Sequence, residues 1–226
     1  MRTAALTGAL AACLAASFFT TTVACAQEIP AGAIRLPAPR RDGPMSLEAA
    51  LWARHSTRTF THDSIALADI GQLLWAAQGV NRPDGHRTVA SAMAAYPVEA
   101  YVIAERVSGL PAGTYHYHPA GHYIERTAQA QLAGLLTAAP AAWIRDAAAV
   151  VVLTAVYQRE SRFAERAQQF VPVEVGLAAQ GVYLEAAALG LGTTFVGSFT
   201  DTTLARVMAL DAAERPMAVL PIGKPR

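Results

Sequence analysis

Ala147-Ala148-Ala149-Val150-Val151-Val152-Leu153-Thr154-Ala155-Val156 is an uncharged run bounded by Arg145-Asp146 on one side and Gln158-Arg159 on the other. It is too short to cross a bilayer, and its β-branched content suits a buried central strand. Downstream, the apolar stripe Val173, Leu177, Leu184 and Ala188 predicts a long helix from about Pro172, placed at its start, to Leu189, with Gly190 as terminator. Residues 193–197 read as a short strand, 200–210 as a helix and 217–222 as the closing strand. Upstream, residues 114–118 and 122–126 form a hairpin through Pro119-Ala120-Gly121, and 98–105 alternates as a strand. Ile70, Leu73, Leu74 and Ala77 share one face of a helix over 67–78 that Gly79 stops, and Ser46 caps a helix reaching His55. Strands and helices mix without regular βαβ alternation, so the fold class is α+β rather than a doubly wound parallel sheet. Gly190-Leu191-Gly192 follows a helix, which removes it as a dinucleotide fingerprint.

The chain opens Met1-Arg2, stays uncharged from Ala4 to Val23, and reaches Ala24-Cys25-Ala26. Residues 1–26 therefore read as a signal peptide, and the protein is expected to be exported, to a periplasm in the simplest case. A membrane anchor and a lipoprotein acylated at Cys25 are the alternatives. Cys13 and Cys25, the only cysteines, fall in that segment, so a cleaved chain has no disulfide, thiol nucleophile or thiolate ligand. Arg2 is its only charge, and cleavage leaves 17 basic against 17 acidic side chains. That balance gives no electrostatic footprint for nucleic acid or an anionic membrane, and no span is expected in the mature chain. Residues 27–45, with Pro30, Pro37, Pro39 and Pro44, suit a loose or surface-hugging arm. Residues 46–226 are enough for one domain with a full core, and 53% hydrophobic content agrees.

At the end of the first helix, Arg54-His55-Ser56-Thr57-Arg58-Thr59-Phe60 sets two guanidiniums four residues apart around a hydroxyl. Such a cluster suits a phosphate clamp, and equally a solvated helix terminus where cations face the last carbonyls. The segment resembles the opening R-x-S-x-[RK]-x-F motif of the FMN-dependent nitroreductase family. Further pieces are similar to that family in order: Gln72-Leu73-Leu74-Trp75-Ala76-Ala77-Gln78-Gly79, then Arg87-Thr88-Val89-Ala90-Ser91-Ala92-Met93-Ala94-Ala95-Tyr96-Pro97, then Phe195-Val196-Gly197-Ser198-Phe199, and finally Leu220-Pro221-Ile222-Gly223. Gly113-Thr114-Tyr115-His116-Tyr117-His118 with His122 resembles the hairpin of the SagB-type branch, whose members oxidise azolines in peptides.

The resemblance implies a nitroreductase-like domain over 46–226, with a mostly antiparallel central sheet flanked by helices, working as a homodimer that binds FMN at its interface. It implies that Arg54, Ser56 and Arg58, with His55 nearby, hold the flavin phosphate and ribityl chain, and that Lys224 and Arg226 add phosphate contacts. Ser91 and Ala92 would approach the ring from the second subunit, and Gly197 and Ser198 would face flavin N5. No protein nucleophile is required, because the redox chemistry belongs to the cofactor. The implied activity is electron or hydride transfer between NAD(P)H, or a redox partner, and a small organic substrate. A SagB-like peptide dehydrogenase and a flavin- or ligand-binding relative without turnover are the rivals. Ala90 and Met93 depart from the family, which commonly has Pro and Gly there.

Four further readings accompany these. His116, His118 and His122 form a weak candidate metal trio. Glu174 and Glu185 read as surface charges on the long helix, Arg159, Arg162 and Arg166 as an exposed helical row, and Trp52, Trp75 and Trp143 as core residues.

Overall fold

The computed structural model describes residues 29–129, 132–139 and 141–226; the signal peptide read over 1–26 lies outside them. Strands β1 (Ile34–Arg35), β3 (Val98–Ala104), β5 (Gly113–His118), β6 (Tyr123–Ala128), β7 (Ala149–Val156), β8 (Gly192–Thr193) and β9 (Glu214–Gly223) form one sheet in the order β1-β6-β5-β3-β7-β9-β8. Every pairing in it is antiparallel. Two short strands, β2 (Ile65–Ala66) and β4 (Val107–Ser108), pair in parallel apart from it. Among the described residues five α-helices flank the main sheet: α1 (Leu47–Ala53), α2 (Leu67–Gln78), α3 (Leu132–Ala138), α4 (Ala167–Ala188) and α5 (Asp201–Met208).

The uncharged run is β7, held between β3 and β9 with Val102 opposite Val151 and Leu220 also opposite Val151. Its side chains divide by the period of two that a pleated strand imposes. Val151 and Leu153 join Val102, Leu220 and the α2 and α4 residues Leu73, Leu74, Ala178 and Val182 in one core. Val150 and Val152 join Ile103, Val219, Leu135, Leu204 and Met208 in a second core under α3 and α5. Because helices cover both faces, both sets of positions are apolar apart from Thr154, whose buried hydroxyl donates to Glu214 at 2.7 Å.

Ser46 caps α1, its hydroxyl accepting the Ala49 N–H at 3.1 Å, and α2 begins and ends where the periodicity places it. Three readings are corrected. Helix α4 starts at Ala167, so Pro172 lies inside it rather than at its start; only the Gln168 carbonyl loses its i+4 donor there. The strand expected over 193–197 is confined to Gly192–Thr193, with Val196 making an isolated bridge to Val219. Helix α3 occupies a stretch to which the sequence reading assigns no element. At the far end of α4, Gly190 takes φ 68°, the left-handed conformation of a helix-ending glycine.

The proline-rich arm is stitched down. Ile34 and Arg35 pair with Ile124 and Tyr123, Leu36 is buried, and the Arg40 backbone exchanges hydrogen bonds with the Gln72 side chain at 2.8 and 3.2 Å. Among the described residues no helix is long and apolar enough to cross a membrane.

Candidate functional site

Helix α1 ends at Arg54, whose extended backbone (φ −62°, ψ 130°) turns the chain out of the helix and into an extended segment. That segment is fastened on both sides. The Thr57 N–H donates to Thr193 O at 2.9 Å, and Ser56 bridges Thr193 in parallel. Gly192 permits this approach: a Cβ there would stand 2.6–2.8 Å from the Thr57 side chain. On the other side Thr61 N–H donates to Lys224 O at 2.9 Å, Arg226 N–H donates to Thr59 O at 3.2 Å, and Phe60 bridges Pro225. Buried Phe60 anchors the register. Backbone pairing thus brings Arg58, Lys224 and Arg226, far apart in sequence, onto neighbouring extended chains.

These cations are lightly engaged. Arg58 is exposed and has no hydrogen bond or ion pair among the described residues. Lys224 and Arg226 reach Asp63 and Asp146 only at 3.9 Å. His55 is exposed and turned back on its own helix, Nδ1 lying 3.0 Å from Ala53 O. The Thr193 hydroxyl is buried without a hydrogen-bond partner among the described residues. Guanidiniums, an ammonium and unspent hydroxyls form a donor set that fits a phosphate carrying a polyol chain.

Tyr183 of α4, which the sequence reading passes over, ties this segment to the next. Its hydroxyl accepts the Phe195 N–H at 2.7 Å and lies 3.3 Å from Ser56 Oγ, while Arg54 sits over its ring at 5.5 Å. Burial opposes ionisation of this phenol. Hydrogen bonds involving Ser56, Thr194 and the Phe195 amide, with the Arg54 charge, outweigh it and hold the pKa below the ordinary value. The anchored loop leads through Val196, doubly bonded to Val219, to Gly197 and Ser198, both exposed.

Ser91 and Ala92 belong to a separate cluster. Ser91 Oγ accepts the Tyr96 N–H at 2.7 Å, and the Ala92 N–H donates to Glu174 Oε1 at 2.7 Å. Glu174 precedes Tyr183 by nine residues of α4, about two and a half turns, so the two clusters hang from opposite sides of the helix. One chain unites the phosphate-type residues with the Gly197 loop but leaves Ser91 and Ala92 apart from them.

The segment 92–96 is strained. Met93, Ala94 and Tyr96 hold φ of 51°, 55° and 47°, left-handed conformations that cost an L residue about 1–2 kcal/mol each. Met93 is 72% exposed, so its side chain returns little packing energy. Met93→Gly is expected to raise stability by about 0.5–1 kcal/mol, read as a rise of a few degrees in Tm by calorimetry; an unchanged or lower Tm would show the strain to be absent.

Several side readings change. Glu174 is buried, and burial raises the pKa of Glu185, so neither is a simple surface charge. Trp52 is 93% exposed rather than core. Residues 157–166 are a kinked 3-10 segment in which Arg159 ion-pairs with Glu99. The three histidines do not converge: His116 contacts Glu99 at 3.0 Å, whereas His122 Nε2 donates to Pro37 O and its Nδ1 accepts from Tyr117 O–H, both at 2.9 Å.

Comparison with known proteins agrees with this architecture. A curated relative from Methanocaldococcus jannaschii, provisionally named a nitroreductase, is 36% identical over 183 residues, covering 80% of this chain and 91% of its own. A crystal structure from Ralstonia eutropha JMP134 with a similarly provisional name superposes with a TM-score of 0.74 at 31% identity, covering 86% and 90% of the two chains. The NADPH:FMN oxidoreductase of Vibrio harveyi, solved with NAD+, shares the fold at a TM-score of 0.58 and 17% identity, over 79% of this chain and 68% of that one. The profile described as the nitroreductase family matches residues 51–224, from within α1 to Lys224 just after β9, and the chain belongs to that family.

Proposed function

We propose that the protein is an FMN-dependent oxidoreductase that works as a homodimer and passes electrons from NAD(P)H, or from a redox partner, to a small organic acceptor. The observation that carries this reading is the alignment of Arg58, Lys224 and Arg226 by backbone pairing of 59–61 with 224–226, beside Ser56 and Tyr183. Those residues would hold the phosphate and ribityl groups. FMN when bound supplies the redox chemistry, alternately accepting and giving up electrons. This chain's part is to orient the cofactor, set its electrostatic surroundings and exclude water.

The same geometry supports a homodimer. Ser91 and Ala92 lie across α4 from the cation cluster, so a site that uses both needs a second copy. The outer sides of the packed helices α1 and α4 carry exposed Leu47, Leu51, Trp52, Val173 and Leu177. Apolar exposure of this kind marks an interaction surface. Export of the mature chain, with the 1–26 segment as its signal, is part of the proposal and would favour a redox partner over free NAD(P)H as donor.

The hairpin Gly113–His118 with His122 favours the SagB-type branch as a second reading. A flavin-binding relative without turnover is a third, motivated by the strained Met93.

An absorbance spectrum of the protein incubated with FMN and desalted tests the proposal. Flavin bands are expected to stay with a species eluting at dimer size, and to bleach and recover when a donor and then a nitro or quinone acceptor are added. A colourless protein would remove the proposal; bands that never bleach would leave the non-catalytic reading.

A further inference from the structure

Beside the 91–96 segment, the hairpin and the 3-10 segment enclose a pocket of about 440 Å³ lined by Arg87, Tyr96, Glu99, His116, His118 and Arg159 among others. Its charges do not balance. Glu99 is the only carboxylate in the lining, and both its oxygens are committed: Oε1 to Arg159 Nη2 at 2.5 Å and Oε2 to His116 Nε2 at 3.0 Å. Arg159 donates its other nitrogen to Tyr96 O at 2.8 Å. Arg87 is partly buried, stacks over the Tyr96 ring at 4.5 Å, and gives Nη1 only to the neutral amide oxygen of Gln78 at 2.8 Å. Desolvation disfavours its charge, the nearby Glu99 charge partly offsets that, and Arg87 forms no ion pair with a carboxylate among the described residues. A second opening of about 660 Å³ continues the hollow past Arg87 toward Ala90, Ser91 and Met93.

A guanidinium half withdrawn from water, facing a cavity and without an acidic contact, is the arrangement used to recognise an oxyanion. The cavity is large enough for a small organic molecule. Tyr96 lies at one end of the strained segment, under Arg87, and Ser91 and Ala92 at the other. We infer that Arg87, with Arg159 neutralising Glu99 beside it, recognises the carboxylate of a small anionic substrate and holds its uncharged end toward the Ser91–Ala92 segment. The direction of the uncharged end rests on the flavin reading of Ser91 and Ala92; the anion site itself rests only on the pocket.

The test is isothermal titration of the full-length protein, incubated with FMN, with 4-nitrobenzoate and with 4-nitrobenzamide, which keeps the ring and nitro group but not the charge. The protein is expected to bind the carboxylate at least tenfold more tightly. Arg87→Gln and, separately, Arg159→Gln are expected to shrink that preference to within about twofold, and Arg87→Lys to retain part of it. Equal affinity for the two compounds in the unaltered protein, or a preference that survives both Gln variants, would overturn the inference. Flavin absorbance is read on the same samples. Colourless protein that still prefers the carboxylate sustains the anion site while the flavin reading fails. Yellow protein that binds both compounds alike does the reverse.

Discussion

Arg58→Ala is expected to lower FMN affinity by about 10- to 100-fold while leaving Tm nearly unchanged. Two features set this pair of effects. Arg58 is exposed and makes no hydrogen bond or ion pair among the described residues, so its removal breaks nothing that holds the fold, and surface changes of that kind stay within about 0.5 kcal/mol. Yet its neighbours Thr57 and Thr59 are tied to Thr193 and Arg226, so the guanidinium is delivered to one place at little entropic cost on binding. A hydrogen bond between charged partners contributes about 1.5–3 kcal/mol, which is the stated loss in affinity. Quenching of FMN fluorescence measures it, and riboflavin supplies the control. Lacking the phosphate, riboflavin should bind the variant and the unaltered protein alike. Arg54→Ala is a poorer probe, because Arg54 also covers the Tyr183 ring that anchors Ser56 and Phe195. If Arg58→Ala binds FMN unchanged, the 54–60 segment is a solvated helix end and the phosphate reading fails.

What could be read from the sequence was whatever is local. Helix α2 carries its stripe and its stop within 67–79, and β7 announces itself because helices cover both its faces. The pairing of β1 was not legible, since a two-residue strand has no periodicity and exists only through Ile124 and Tyr123. Pro172 misled for a related reason: proline marks a first turn by default, whereas α4 begins at Ala167, directly after the kinked 3-10 segment. Trp52 shows the limit of composition, which finds apolar residues but not the side of the helix on which they lie. In the candidate site the cation motif was visible as spacing, and its union with Lys224 and Arg226 is tertiary. Tyr183 and Glu174 were hidden because a tyrosine in an apolar stripe reads as core and a glutamate on a helix reads as surface. Their roles come from Phe195 and Ala92, which are remote in sequence.

Glu160→Gln is expected to stabilise the protein at pH 8 and to change little at pH 5. Glu160 is fully buried, with neither oxygen meeting a hydrogen-bond donor, and its carboxyl faces that of Glu174, itself buried and holding the Ala92 N–H. Burial first, then the neighbouring Glu174 carboxyl, push the Glu160 carboxyl up to about 7, with Arg162 opposing. The folded pKa lies above the ordinary 4.5, so between those values the folded chain keeps a proton that the unfolded chain has released. Stability therefore falls as pH rises through that window, and above it two buried carboxylates face each other. A glutamine amide can donate to Glu174 at every pH and does not titrate. Removing one uncompensated buried group is worth about 1–3 kcal/mol, or about 2–12 °C in Tm for a chain of this size. The quantity to follow is the Tm difference between variant and unaltered protein from pH 5 to pH 8. Glu174→Gln also removes one of the facing charges, but it weakens the acceptor of the Ala92 N–H and loosens the segment that carries Ser91, so it should stabilise less than Glu160→Gln at pH 8 and destabilise at pH 5. If both variants shift Tm equally at every pH, the carboxyls do not share a proton, and Glu174 holds Ala92 without help from Glu160.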